Sequence, residues 1–235
     1  MIIESNDLGR LLAIYVAQLL LSAIFLILAY KILKRNINRL TIILSGFYIS
    51  CALGFIINAI YLPIRLNPIV YVLYFTAAYL FLFSPIFLVL FNINLLKLDT
   101  EFTLKKQYII IFSYGIAVFI LLNYPGGITI NEGTNWTPDL SWDFLIIIYI
   151  FGLCVIVLPF ILLFLKLYKK FEDKKLKKKL MVFFIGFCGI LFTFYGMILS
   201  NTWDEPIFKS IWNILALFIL IPSGFLIYYA WGRQI

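Results

Sequence analysis

The composition of this 235-residue chain excludes a water-soluble globule. Hydrophobic residues make up 64% of it and charged residues only 13%, whereas a soluble domain carries about a quarter charged residues. The net charge of +8 does not indicate nucleic-acid binding, because the basic residues stand at the ends of apolar stretches, as in membrane proteins.

Seven apolar stretches of about 20 residues, the length of helix that crosses a bilayer core, follow one another along the chain. They are continuously apolar rather than alternating, so transmembrane β-strands are not expected. Helices, in contrast, satisfy their own backbone hydrogen bonds in lipid. The sequence therefore predicts an all-α integral membrane bundle of seven transmembrane helices, with residues 1–235 forming one domain. The predicted spans are Leu11–Ile32, Leu40–Tyr61, Ile69–Leu95, Tyr108–Tyr124, Phe144–Leu167, Leu180–Ser200 and Ile207–Trp231.

Basic residues fall almost entirely on one side of this pattern. Sixteen of the nineteen Lys and Arg residues lie around the first, third and fifth connections or after the last span, and Lys166–Lys179 alone holds eight lysines. Positively charged connections stay in the cytoplasm. We therefore predict a multi-pass protein of the cell membrane with its N-terminus outside and its C-terminus inside. The acidic Glu4 and Asp7 before the first span also argue against a cleavable signal peptide, which begins with basic residues.

Polar side chains inside the predicted spans are neutral. Such groups commonly hydrogen-bond between helices, and they can equally line a cavity for an uncharged ligand. Both interpretations require them to face other helices, since an amide facing lipid loses its hydrogen bonds. We therefore expect three asparagines to turn inwards: Asn58, Asn92 and Asn213.

Three prolines lie near the middle of predicted spans 3, 5 and 7. Proline removes a backbone hydrogen bond and bends a helix. Kinks at these positions would open a cavity or supply a hinge. The residues are Pro85, Pro159 and Pro222.

Aromatic and charged residues gather on the two outer connections that precede spans 5 and 7. The longer connection, Pro125–Asp143, is expected to fold back over the bundle and to bring Trp136 or Trp142 close to Asp204–Trp212. Aromatic faces with carboxylates suit a cation or an amphiphile, although interfacial tryptophans also form ordinary aromatic belts. The candidate ligand-binding residues are Trp136, Trp142, Asp143, Trp203, Asp204, Lys209 and Trp212.

The lysine run between spans 5 and 6 is the densest charge in the chain. Lysines at the cytoplasmic surface orient the protein and contact anionic lipid headgroups, and the same charges can steer a soluble signalling protein to the membrane. The candidate contact residues are Lys169, Lys170, Lys174, Lys175, Lys177, Lys178 and Lys179.

Catalytic chemistry is not indicated. The chain has no histidine, which excludes histidine-ligated haem, zinc and copper and a histidine general base. No pair of nucleophile and base is visible, and Cys51, Cys154 and Cys188 have no metal-binding spacing. We therefore expect neither an enzyme nor a bound cofactor or metal.

The chain resembles the N-terminal seven-helix sensor region of prokaryotic histidine kinases. The similarity lies in the topology, the outer connection after span 4, the basic connection after span 5, and the stretches Tyr74–Leu88 and Lys177–Gly186. It implies a sensory role with a cytoplasmic output. No kinase domain follows within these 235 residues, so the output would belong to a separate protein.

The function expected from these features is that of a receptor-like or sensory membrane module. It would pass an outer-face or membrane signal to a separate cytoplasmic partner. Two alternatives remain open: a carrier or channel-like protein for a neutral or lipophilic solute, and a structural subunit of a membrane complex. A polar path through the bundle favours a carrier, and a closed cytoplasmic half favours a sensor.

Overall fold

The computed structural model describes residues 5–61, 63–96, 102–203 and 205–233, with side chains from residue 15 onward. Within these ranges seven helical spans are long and apolar enough to cross a membrane. The predicted all-α seven-helix membrane bundle is therefore confirmed. The spans are Tyr15–Arg35, Arg39–Tyr61, Ile69–Leu96, Leu104–Leu122, Trp142–Lys170, Lys174–Thr202 and Pro206–Gly232.

Nine α-helices, two short strands and three short helical segments of other types make up the described part. The helices are α1 (Ser5–Arg35), α2 (Arg39–Tyr61), α3 (Ile69–Phe83), α4 (Pro85–Leu96), α5 (Leu104–Leu122), α6 (Trp142–Gly152), α7 (Leu158–Lys170), α8 (Lys174–Thr202) and α9 (Pro206–Ile227). The strands are β1 (Ile128–Thr129) and β2 (Asp139–Leu140), with a 3-10 turn at Glu132–Thr134 between them; π-helical segments occupy Leu153–Val157 and Tyr228–Gly232.

Two of the three mid-span prolines coincide with a change in helix geometry. The third span divides at Ser84, after which Pro85 begins α4. In the fifth span the π segment Leu153–Val157 precedes Pro159, which has no N–H to continue the α-helical ladder. The α-helix continues through Pro222 to Ile227, so an interruption of α9 at that proline is not observed.

Helix α4 lies at the centre of the bundle. It packs against α2 on one side and α7 on another, and its residues from Pro85 to Asn92 are buried except Phe87, which is partly buried. The other close helix pairs are α1 with α2, α2 with α3, and α8 with α9. Because α4 follows α3 directly, a displacement of α3 at one membrane face can be transmitted along the chain to α4 at the centre of the bundle.

Glycine allows α8 and α9 to approach closely. A Cβ atom at Gly196 would lie 1.6 Å from the ring of Trp212, and one at Gly189 would lie 2.0 Å from the Ser223 hydroxyl. No side chain fits at either distance, so the seam between these helices depends on small residues, as is common in membrane bundles.

The inward orientation predicted for the three asparagines is only partly correct. Asn92 is completely buried and Asn58 is half-buried, but Asn213 is exposed. The prediction for Asn213 is wrong because this residue lies only two turns from the start of α9 at Pro206. At that depth water and headgroups can still satisfy an amide.

The lysine run is helical rather than a long loop. Helix α7 ends at Lys170 and α8 begins at Lys174, so only residues 171–173 connect the two. The run predicted to connect spans 5 and 6 is therefore mostly helical, because lysine is a good helix former and helices can extend beyond the lipid where water solvates the charges. We call this region, Lys166–Lys179, the lysine turn.

Candidate functional site

A cavity of about 90 Å³ lies at the end of the bundle that carries the two strands. We call this the hairpin end and the opposite one the lysine-rich end. Side chains from α2, α3, α5, α6, α8 and both strands surround the cavity, and none of them is charged. They are Asn58, Tyr74, Ala78, Phe81, Leu82, Leu122, Ile128, Leu140, Phe144, Ile148, Phe194, Met197, Ile198 and Asn201.

Three polar side chains from three different helices meet at this cavity. The amide of Asn201 on α8 lies beside the hydroxyl of Tyr74 on α3. Asn58 on α2 also lines the cavity, and within the described residues no hydrogen bond engages its amide. An amide offers two N–H donors and a carbonyl acceptor. The cavity therefore presents free hydrogen-bonding capacity among apolar walls.

The hairpin forms the roof of the cavity. Ile128 of β1 pairs with Leu140 of β2, and both side chains line the cavity. The hairpin backbone rests directly on α6, since a Cβ atom at Gly127 would lie 2.8 Å from the Phe144 ring. The preceding Gly126 has φ +71°, a left-handed conformation that glycine adopts without strain. Both glycines are thus needed to lay the hairpin over the bundle.

A smaller cavity of about 30 Å³ continues towards the middle of the bundle. It shares four lining residues with the first cavity and extends to Pro85, Gly152 and Tyr195. The Tyr195 hydroxyl is buried there without a hydrogen-bond partner among the described residues, and it would lie 2.3 Å from a Cβ atom at Gly152. The shared residues are Leu82, Ile148, Phe194 and Ile198.

This smaller cavity adjoins both interruptions of the helices. Pro85 begins α4 immediately after the break at Ser84, and Gly152 and Ile156 lie at the π segment of the fifth span. The Ser84 hydroxyl donates to the Phe81 carbonyl at 2.9 Å and accepts from the Cys51 thiol at 3.2 Å. π segments often occur at functional sites. The inner end of the two cavities is thus lined by the segments where the α-helices are interrupted.

A third depression, of about 300 Å³, lies between α3 and α5. Its walls include Phe112 and Phe119, which are 72% and 54% exposed. A groove with such exposed apolar walls faces the surrounding lipid, so we attribute it to the membrane-facing surface.

The lysine-rich half of the bundle is filled by aromatic rings. Phe160 of α7 stacks on Phe187 of α8 with ring centroids 3.4 Å apart, and Phe91 of α4 lies 5.4 Å from Phe183 and 6.0 Å from Trp231. The four phenylalanines are at most 1% exposed. This dense packing closes the bundle between the cavity system and the lysine turn.

The lysine turn is attached to the central helix. Lys170 Nζ donates to the carbonyl of Leu96, at the end of α4, at 2.8 Å. Lys177 Nζ lies 5.2 Å from the centre of the Tyr168 ring. Among the candidate contact residues, Lys177 and Lys179 are half-buried and the others are exposed: Lys169, Lys170, Lys174, Lys175 and Lys178.

The first two turns of α8 carry positive charge where a helix favours negative charge. Helix N-termini favour negative charge, yet five lysines stand at this one, with like charges three and four residues apart. Two carboxylates precede them: Glu172 is exposed, and Asp173 caps the helix by accepting from Lys175 N at 2.8 Å. Such an arrangement favours an external source of negative charge.

The outer aromatic residues do not form one site. Trp203 and Trp212 both pack on Phe208, at centroid distances of 5.1 and 6.0 Å. Trp136 instead packs with the cluster Tyr61, Val70, Tyr74 and Ile130 over α2 and α3. The predicted approach of Trp136 to the start of α9 is therefore wrong, because the hairpin packs on an apolar surface formed by α2 and α3.

The remaining predicted ligand residues are scattered around the hairpin end. Trp142 is 55% exposed at the start of α6, and Asp143 beside it is also exposed. Lys209 is half-buried in the first turn of α9, and Asp204 lies outside the described residues. Within this expected ligand-binding set, Trp203 and Trp212 share a cluster around Phe208.

Helical periodicity is the signal that points to the cavity residues. Tyr74, Ala78 and Phe81 follow the spacing i, i+4, i+7 on α3, and Phe194, Ile198 and Asn201 repeat it on α8. Residues at this spacing share one face of a helix. Sequence reasoning missed Asn201 because the predicted span ended one residue earlier, at Ser200.

Comparison with known proteins does not assign this bundle to a family. No protein-family model matches the chain, and no curated protein sequence matches it significantly. The function must therefore be argued from the cavity system, the packed half and the lysine turn.

Proposed function

We propose that the protein is a sensory membrane module that relays a signal from the hairpin end to a separate cytoplasmic protein at the lysine turn. The observation that carries this proposal is the unequal packing of the two halves. The cavities lie towards the hairpin end, whereas stacked rings fill the lysine-rich half. An open channel needs a polar path through both halves, so this packing favours signalling over channel-like passage of a solute.

Helix α8 offers the most direct mechanical connection. Asn201, near one end, lines the cavity, and the lysines of the turn occupy the other end of the same helix. Its 29 residues span about 43 Å at 1.5 Å per residue. A tilt or translation forced on Asn201 would therefore move the lysines as part of one rigid element.

A second connection runs through α3 and α4. Tyr74 and Phe81 of α3 line the cavity, and the last carbonyl of α4, at Leu96, accepts the hydrogen bond from Lys170. The break at Ser84 lies between them. Two conformations of the bundle that differ in helix packing at this break would hold the lysine turn in different positions. Any stimulus that favours one conformation would raise its population at the expense of the other.

The charge of the lysine turn defines the partner. Five lysines at a helix N-terminus repel one another and the helix dipole. Anionic headgroups would offset part of this repulsion, and an acidic surface on a cytoplasmic signalling protein would compete for the same lysines. Movement of the turn would then change how many lysines the partner can reach.

Spin labels test whether the two ends are coupled, without any ligand. Labels at Ile37→Cys, in the exposed turn between α1 and α2, and at Lys175→Cys report the position of the lysine turn by pulsed electron–electron resonance. Both exposed native cysteines are replaced by serine. Filling the cavity with Ala78→Leu should shift the distance distribution by about 2 Å, the size of helix shifts in switching proteins.

The control is Ala23→Leu, which adds the same atoms on an exposed face of α1. It should leave the distribution unchanged. Identical distributions for Ala78→Leu and the parent protein would contradict coupling between the cavity and the lysine turn.

A further inference from the structure

We propose that the hairpin-end cavity binds a small uncharged amphiphile, with one hydrogen-bonding group held by Asn58 and a short apolar body. This inference rests on the proposed function, for which it names the class of ligand. Of the cation or amphiphile expected from the outer aromatic and acidic residues, it keeps an uncharged amphiphile and places it in the cavity, because the cavity lining carries no charge.

The cavity volume limits the size of the ligand. The main cavity measures about 90 Å³ and its extension about 30 Å³. Benzene, with six non-hydrogen atoms, fills an apolar cavity of about 150 Å³. The two volumes together are smaller than this, so the occupant is smaller than benzene, with about four to five non-hydrogen atoms by this comparison.

The lining selects an uncharged polar group. Asn58 offers an unengaged amide, and the neighbouring Asn201 and Tyr74 lie beside each other in the same lining. A buried charge without a partner is far more costly than a buried hydroxyl or amide that is hydrogen-bonded. The remaining walls, such as Phe81, Leu122 and Ile148, are apolar. Short alcohols, amides and ketones match this combination.

The roof provides the route of access. Only two residue pairs join β1 to β2, and an isolated two-stranded hairpin is marginally stable. The hairpin stays closed mainly through the apolar side chains of Ile128, Ile130 and Leu140 against the bundle. Local opening of this roof would admit a ligand, and the filled cavity would then close beneath it.

The test uses 1-butanol, which has five non-hydrogen atoms, with the full chain in nanodiscs. Ligand-observed NMR measures saturable binding above the signal of empty nanodiscs. Asn58→Leu keeps the side-chain size and removes the amide, so affinity should fall about tenfold, the effect of one hydrogen bond. The matched control Asn213→Leu removes an exposed amide and should change affinity by less than about twofold.

Two further comparisons guard against misfolding and simple partition into lipid. Ala78→Leu fills the cavity while keeping Asn58, and it should abolish saturable binding at unchanged helix content in circular dichroism. Butylammonium and butyrate, the charged counterparts of butanol, should show no saturable binding.

The proposal would be overturned by butanol binding that never exceeds the partition into empty nanodiscs, by equal affinities for the parent and Asn58→Leu, or by saturable binding of the charged counterparts. Failure of the sensory function is distinguishable, since the spin-label experiment uses no ligand. Saturable binding without coupling would leave the site in place and remove the signalling role.

Discussion

Tyrosine hydroxyls form several of the hydrogen bonds that cross between helices. Tyr48 on α2 donates to the Gly224 carbonyl on α9, and Tyr114 on α5 donates to Leu82 on α3, both at 2.7 Å. Tyr149 on α6 donates to the Tyr195 carbonyl on α8 at the same distance. Most serine and threonine hydroxyls bond instead to their own helix, among them Ser45, Thr76, Thr193, Ser200, Thr202, Ser210 and Ser223.

Asn92 is the residue whose burial most needs explanation. Its side chain is fully buried in α4, and neither its amide nitrogen nor its oxygen has a partner among the described residues. Replacing an unpaired polar group by an apolar one of similar shape removes a desolvation penalty of about 1–3 kcal/mol. We expect Asn92→Leu to raise the free energy of unfolding by that amount in mixed detergent micelles.

Asn213→Leu is the control for this substitution, because its amide is exposed and carries no such penalty. It should change stability by less than about 0.5 kcal/mol. A loss of stability in Asn92→Leu larger than in the control would show that the buried amide is engaged and would refute the explanation.

The sequence predicted which polar residues face the interior better than it predicted their hydrogen-bond partners. Asn92 faces the interior as expected from the cost of an amide in lipid. The bond from Gln107 to Asn94, at 2.6 Å, is an interhelical bond of the expected kind. Tyrosines, however, count as apolar residues of a span, so the composition does not indicate that their hydroxyls hydrogen-bond between helices. The contacts of Tyr48 and Tyr149 depend on which helices become neighbours, which no local pattern specifies.

The seven-span pattern predicted the membrane elements well, because about 20 apolar residues have few alternatives to a helix in lipid. Their ends were predicted less well. Helix α8 begins at Lys174 rather than Leu180, since hydropathy marks where lipid ends and not where the helix ends. The hairpin was missed because the strands comprise only two residues each, too few for an alternating pattern.

The cap of α8 gives a prediction for this element. Asp173 accepts a hydrogen bond from Lys175 N and is the carboxylate nearest to the helix start in sequence. Its replacement by alanine should cost about 0.5–2 kcal/mol, the usual value of an N-cap. Amide exchange over residues 174–178 should accelerate accordingly, as measured by hydrogen–deuterium exchange and mass spectrometry.

Glu172→Ala provides the comparison, because it removes an adjacent exposed acid that does not cap the helix. In this variant the rate of amide exchange over residues 174–178 should change much less. Equal acceleration in both variants would show that general charge, rather than the cap, sets the stability of the helix start.

The orientation of the whole bundle remains a prediction from charge. Sixteen of the nineteen basic residues lie at the lysine-rich side, and positive charge stays in the cytoplasm. A membrane-impermeant maleimide added to intact cells should therefore label Gly133→Cys in the hairpin and leave Lys175→Cys unlabelled until the cells are opened. Labelling only of the lysine turn would show the opposite orientation. Labelling of both sites would contradict the seven-span topology.

The cavity could not be predicted from the sequence at the scale of the whole molecule. Asn58 and Tyr74 belong to consecutive helices, but Asn201 lies on α8, much later in the chain, and their convergence follows from packing between these helices. Chain order establishes only which spans end on the same side. The stacked rings of the lysine-rich half, such as Phe160 on Phe187, likewise come from partners that a run of apolar residues does not reveal.

The most direct test of the central claim, that the closed bundle relays a signal without passing a solute, is a flux measurement. Stopped-flow light scattering records the uptake of glycerol, a small neutral solute, by proteoliposomes. The packed rings between the cavity and the lysine turn predict the same rate as in liposomes without protein. Faster uptake in the parent protein, reduced by Ala78→Leu, would contradict the account and identify the protein as a carrier.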